Sequence, residues 1–234
     1  MNVLENIRAE LKRNVDKEYR EGSINFFKEK IKCYGVRAPT TRKIAKRYFQ
    51  EIKDLNKKEI FQLCEKLLKT NYNEEAAIAF SWCNKIKDRF EKTDFKMFES
   101  WIDEYLTNWA MIDDFCTHSV GYLVYNNQEF LRDLKKWTKS ENRWMRRASA
   151  VTLIYCVRNK KNLKDSFEIS DLLLKDKDDL VRKGYGWLLK EASNIYLKEV
   201  HDYVMENRNE MPRVALRYAI EKMPKEMKSN IMKR

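Results

Sequence analysis

Trp109 and Asp113 stand four residues apart in the stretch NWAMIDDFCTHSVGYL, residues 108–123, and a second carboxylate, Asp114, follows at once. On a helix that spacing puts the indole and the first carboxylate on one face, a turn apart. Such a pair has two readings. It is helix core beside ordinary surface acids, or it is a site where an aromatic face and a fixed negative charge meet something positive. Asp114 falls to the first reading, as a helix acid making a structural hydrogen bond or ion pair. His118, on the same stretch, is better accounted for as a plain helix residue than as a base.

Other chemistries find less support. The five cysteines (Cys33, Cys64, Cys83, Cys116 and Cys156) are widely separated, form no CxxC pair and have only two histidines to help them hold a metal. Reduced thiols packed as small hydrophobes are what that pattern suggests. The net charge of +12 favours an anionic polymer or surface as partner. No apolar run approaches the roughly 20 residues that cross a bilayer. The amino end, MNVLENIRAELKRN, is charged and amphipathic rather than a cleavable leader. A cytoplasmic location with no membrane partner is the expectation.

The elements that position Trp109 and Asp113 are helices. Five glycines and three prolines in 234 residues, with no proline between residues 40 and 211, leave a long span rich in Lys, Glu, Leu, Ala and aromatics. Helix-like segments come in pairs. First members are EIFQLCEKLLKT (59–70), DFKMFESWIDEYL (94–106), EFLRDLKKW (129–137), FEISDLLLKD (167–176) and YLKEVHDYVMEN (196–207). Each is followed by a second helix starting at a large apolar residue: Tyr72, Trp109, Trp144, Leu180 and Met211, spaced by 37, 35, 36 and 31 residues. That period belongs to helical-pair solenoids, so the chain is expected to be all-α, a single repeat domain over 1–234.

Four residues after each of those starts come Ala76, Asp113, Ala148, Gly184 and Ala215. A small residue one turn on from a large one lets a neighbouring repeat approach closely. Asp113 breaks the chain's own rule and gains nothing for packing. Arg146, Arg182 and Arg213 stand two residues after the last three starts, with Arg147 and Lys183 beside two of them. Stacked repeats would set these cations in a basic stripe along a concave face, suited to a phosphate backbone. The plain alternative is a solvated charged face.

The segments YGVRAPTTRKIAK (34–46), NWAMIDDF (108–115), NRWMRRASA (142–150) and VRKGYGWLLKEAS (181–193), in that order, resemble the AlkD family of DNA alkylation-repair glycosylases, which are built from HEAT-like repeats. The likeness runs over nearly the whole chain. It implies a monofunctional glycosylase that removes cationic alkylated purines, N3-methyladenine and N7-methylguanine, from double-stranded DNA. No cofactor and no metal are implied, and the protein is expected to be a monomer. Members of the family are thought to act on the deoxyribose while the lesion stays stacked, so lesion charge and lability set selectivity.

Carried over, the resemblance makes Asp113 the catalytic carboxylate, Trp109 and Trp187 the lesion-facing aromatics and Arg147 a contact to the lesion and its backbone. Arg37 becomes a contact to the opposite strand, with Arg146, Arg182, Lys183 and Arg213 on the DNA backbone. Where many relatives have a second aromatic after the first Trp, this chain has Ala110, which leaves a pocket wall unassigned. The chain is rich in lysine, yet no lysine sits at the aligned site, so hydrolysis is expected rather than a Schiff-base lyase route. Each assignment has a structural alternative: Trp109 as core, YGVRAP as a mere turn, and the glycines of GYG before Trp187 as tight helix packing. At the level of the whole chain, the alternatives are a non-catalytic DNA-binding paralogue and a HEAT-type protein-binding scaffold.

Overall fold

The computed structural model describes residues 3–233, and among these the chain is helical throughout. The α-helices are α1 (Val3–Arg13), α2 (Lys17–Phe26), α3 (Ala38–Ile52), α4 (Lys57–Leu68), α5 (Asn73–Lys85), α6 (Asp94–Glu104), α7 (Trp109–Phe115), α8 (Gly121–Asn126), α9 (Leu131–Trp137), α10 (Arg143–Val151), α11 (Leu153–Arg158), α12 (Leu163–Leu173), α13 (Asp179–Ser193), α14 (Leu197–Asn207), α15 (Arg213–Ala219) and α16 (Lys225–Met232). The only β pairing among the described residues is an isolated bridge between Lys32 and Tyr72. This is the solenoid-like all-α repeat fold that the spacing predicts. Each of the five first-member segments overlaps a helix (α4, α6, α9, α12 and α14), and the large apolar residues fall at or within two residues of the starts of α5, α7, α10, α13 and α15.

The helices gather into two compact units, Met1–Phe115 and Cys116–Arg234. In the first unit, α5 packs against α3, α4 and α7. Its core is aromatic: Phe61, Phe98, Trp101 and Phe115 form a chain of ring contacts with centroids 5.0–6.0 Å apart. The Trp82 indole, fully buried, donates to the Ala45 carbonyl at 2.9 Å, so its polar atom is satisfied in the interior.

In the second unit α13 is the central helix, packed against α10, α11, α12, α14 and α15. The small slots have their expected role there. A Cβ on Gly184 would come within 3.2 Å of Arg147 Cγ on α10, and one on Gly186 within 2.8 Å of the Ala215 carbonyl oxygen and Tyr218 Cβ. Both glycines of GYG therefore serve close helix packing. Ala76, Ala148 and Ala215 are buried as well, whereas Asp113, the exception in sequence, is half-exposed and escapes the cost of a buried charge.

Asparagine and aspartate start several of these helices, because their side chains satisfy the first free N–H groups. Asn56 and Glu59 form a reciprocal capping box on α4. Asn142 caps α10 by accepting from Trp144 N, and Asp178 caps α13 by accepting from the N–H groups of Leu180 and Val181.

Candidate functional site

Trp109 is the first residue of α7, and Asn108 fixes it there. The fully buried Asn108 side chain accepts from the N–H groups of Ala110 and Met111, both at 3.1 Å, and donates to Asn73 Oδ1 at 2.9 Å. The cap holds the first turn of α7 while tying it to the start of α5. Asp113 follows one turn on, half-exposed, and Asp114 is exposed. Immediately after α7 the chain forms a π-helical turn, Cys116–Val120. Single π turns are uncommon and concentrate near functional residues. His118 lies on that turn, exposed, with Nδ1 3.3 Å from Thr117 Oγ1.

The indole of Trp109 is buttressed by residues to which the sequence offered no pointer. Phe27 stacks on it, with centroids 5.1 Å apart and planes 19° apart, and Phe26 meets it edge-on at 5.9 Å. Phe26 and Phe27 meet each other at 5.8 Å. They lie at the carboxyl end of α2, a helix with no buried residue, and Phe26 is 71% exposed. One face of the Trp109 indole is thus occupied from within, beside the half-exposed Ala110.

The YGVRAP element is a turn built around a buried carboxylate. Glu74 accepts from the N–H groups of Tyr34, Gly35 and Val36 at 2.8–3.0 Å. Glu75 accepts from the Tyr34 hydroxyl at 2.7 Å and is paired with Arg8 at 3.2 Å. Tyr34 stacks on Tyr72 at 4.3 Å, and Gly35 takes φ +89°, with no room for a Cβ beside Arg20. Arg37, 61% exposed, is paired with Asp16 at 2.8 Å and lies over the Tyr19 ring. The Tyr19 N–H and the Arg37 guanidinium together hold the Asp16 carboxyl below its usual range.

The cations of the later repeats divide into two groups. Arg146 binds Asp176 through Nε at 2.7 Å and the carbonyls of Ser140 and Glu141 at 2.9 and 3.0 Å. Arg182 donates to the Asp176 carbonyl and to Asp179. These two arginines converge on one aspartate and brace the approach to α13. Arg147 is only 5% exposed and donates to the Leu180 carbonyl in the first turn of α13. Lys183 and Arg213, by contrast, have no ionic or aromatic partner among the described residues.

Trp187, half-exposed on α13, donates its indole N–H to Glu191 Oε1 at 2.9 Å, and Arg158 Nε holds the other carboxylate oxygen at 3.0 Å. Sequence inspection had a signal for this pair, since an acid four residues after a tryptophan lies on its helix face. An Asn just before Trp109 was likewise legible as a cap. Asp176 and the two phenylalanines were not, because their partners lie tens of residues away.

All five cysteines are buried and unbridged. Burial pushes the Cys156 thiol up to about 12. Among the described residues no three of His, Cys, Asp and Glu gather as a metal site would require. No helix there is long and apolar enough to cross a membrane.

With this geometry in place, the chain can be set beside known proteins. A search of curated protein sequences finds no match. Among solved structures it is similar to a protein described as a predicted DNA alkylation repair enzyme from Enterococcus faecalis, with a TM-score of 0.80 at 17% identity, covering 91% of this chain and 98% of that one. At that identity the likeness speaks for the fold. A sequence model of the family described as DNA alkylation repair enzyme matches residues 7–223, nearly the whole chain, and the chain belongs to that family.

Proposed function

We propose that the protein is a monofunctional DNA glycosylase that hydrolyses the N-glycosidic bond of cationic alkylated purines, N3-methyladenine and N7-methylguanine, in duplex DNA. The observation that carries this is a half-exposed carboxylate, Asp113, one turn from a buttressed indole, Trp109, on a helix whose start is locked by Asn108. Membership of an alkylation-repair family supports alkylated DNA as the substrate.

Alkylation at N3 or N7 places a positive charge on the purine, so the base leaves as a neutral molecule and the chemical step asks little of the enzyme. As the C1′–N bond breaks, positive charge moves onto the deoxyribose. A fixed carboxylate beside C1′ stabilises that oxocarbenium-like state. It also orients the water whose oxygen bonds to C1′, and it accepts the proton that the water sheds, leaving an abasic site. The exposed indole face adds cation–π attraction to the charged nucleoside, about 0.5–2 kcal/mol. The resemblance gives Trp187, on α13 of the second unit, the same kind of contact to a cationic base. Base-edge readout has no part in it, so the lesion need not leave the stack, unlike the substrates of base-flipping enzymes.

The decisive experiment is release of N7-methylguanine from methylated duplex DNA by the wild type and by Asp113→Asn. Excision should fall at least about tenfold, about 1.4 kcal/mol of transition-state stabilisation, while duplex affinity holds or rises slightly as a charge that repels phosphate is removed. Equal release by both proteins sinks the role of Asp113. Tight duplex binding with no release by the wild type marks a structure-recognising paralogue instead.

A further inference from the structure

The indole of Trp187 carries one hydrogen-bond donor, and the fold has already used it. Its N–H points into Glu191 at 2.9 Å, one turn along α13, and Glu191 is itself gripped by Arg158 at the end of α11. The carboxylate is mostly covered, 16% exposed. Burial alone would raise its pKa, but the hydrogen bonds from Arg158 and Trp187 outweigh burial and hold the group below the usual carboxylate range. Glu191 is therefore charged at neutral pH.

Two consequences follow from elementary chemistry. An indole whose N–H is satisfied inside the protein has no donor left for a base edge or a phosphate. What it can still offer a ligand is its π face, which discriminates by charge. A full negative charge accepting that N–H also pushes electron density into the ring and strengthens its attraction for a cation. The bond fixes the ring plane too, since the N–H swings away from the carboxylate only by losing a charge-assisted hydrogen bond.

We propose that Glu191, held by Arg158, is a positioning residue for Trp187, locking the indole in one orientation and enriching its π face so that it selects positively charged alkylated bases. The proposal rests on the glycosylase reading for its substrate, but the Arg158–Glu191–Trp187 chain can be tested without it.

The first measurement is the indole N–H resonance of Trp187 in protein labelled with nitrogen-15 at tryptophan, assigned by its loss in Trp187→Phe. Glu191→Ala should move that resonance upfield and speed its exchange with solvent. Arg158→Met should move it in the same direction by less. The second is single-turnover release of N7-methylguanine in a double-mutant cycle. In the wild-type background Glu191→Ala should slow release about three- to tenfold, the range expected for a weakened cation–π contact. In the Trp187→Phe background it should have no further effect, because a residue that acts through another loses its influence when that other is gone. Glu191→Gln, which keeps an oxygen acceptor but not the charge, should fall between wild type and Glu191→Ala.

An equal loss from Glu191→Ala in both backgrounds would overturn the proposal, since that is the signature of a general packing role. A Trp187 resonance unmoved by Glu191→Ala, with lesion release intact in the wild type, would overturn the link and leave the glycosylase reading standing. A shifted resonance in a wild-type protein that releases no lesion would support the link and sink the glycosylase reading.

Discussion

Asn108→Ala is the substitution that most directly tests whether the start of α7 is what holds Trp109 and Asp113 in place. The side chain makes three hydrogen bonds, to the N–H groups of Ala110 and Met111 at 3.1 Å and to Asn73 Oδ1 at 2.9 Å, and it is fully buried. Each is worth about 0.5–1.5 kcal/mol net, and cap removals measured elsewhere cost about 0.5–2 kcal/mol. A loss of about 2–3 kcal/mol is expected, because Met111 is buried and its N–H has no ready access to water. Asn108→Asp is the informative control. It keeps the two bonds from the backbone N–H groups and places a negative charge at a helix start, which offsets part of the cost of burying that charge. It loses only the donor to Asn73, whose amide can rotate to donate in turn. The aspartate variant should therefore cost less than the alanine variant, and the difference should vanish at acid pH as the carboxyl is protonated. Urea unfolding followed by far-ultraviolet circular dichroism and by tryptophan fluorescence measures both, and lesion release reports on the site. Equal destabilisation by Ala and Asp would refute the cap, as would a cost for Ala below about 0.5 kcal/mol.

Three further outcomes can be checked independently. Gly186→Ala should destabilise by about 1–3 kcal/mol, since its Cβ meets the Ala215 backbone at 2.8 Å, while Gly22→Ala, with open space around it in the exposed α2, should gain about 0.5–1 kcal/mol in thermal or urea unfolding. Lys183→Ala and Arg213→Ala should each lower the salt dependence of duplex binding by about one unit of slope, whereas Arg146→Ala should act mainly on stability because its charge is already spent on Asp176; titrations at several salt concentrations separate the two. Burial holds the folded Cys156 thiol protonated up to about 12, against 9.0 for a free thiol, so the unfolded chain loses a proton first and stability falls as pH rises from 9 towards 12. Cys156→Ala should remove up to about 1.4 kcal/mol per pH unit of that fall, seen as a shallower drop in unfolding free energy above pH 9.

Most of the architecture was legible because it is written in local periodicity. A large apolar residue at each second-helix start and a small one four positions on reflect the demand of one helix packing on the next, and Ala76, Ala148, Gly184 and Ala215 are all buried as that demands. Pairings of distant residues carry no such signature. Glu74 was invisible as the anchor of YGVRAP, because its three N–H partners lie 38–40 residues away. The row of arginines was legible as a row, yet the neutralisation of Arg146 was not, since Asp176 meets it across 30 residues from the loop before α13. Charge counted along a chain overstates charge available to a ligand whenever loops supply the counter-ions.

The same distinction bears on the wall left open at Ala110. An aromatic missing from the helix that carries Trp109 suggests a barer pocket when sequence neighbours are all that can be seen. Phe27 changes that, because a ring stacked at 5.1 Å on Trp109 supplies aromatic surface from α2 instead of from α7. The two arrangements differ physically. A second aromatic on α7 moves with Trp109 as one rigid helix, whereas Phe26 and Phe27 belong to an element with no buried residue and few ties of its own. Such elements sit at the low-stability end of a fold and open readily. On the proposed glycosylase reading, aromatic surface held by α2 should therefore give way to a larger adduct on the purine more easily than aromatic surface fixed to α7, and Phe27→Ala should change the relative release of small and bulky N7 adducts.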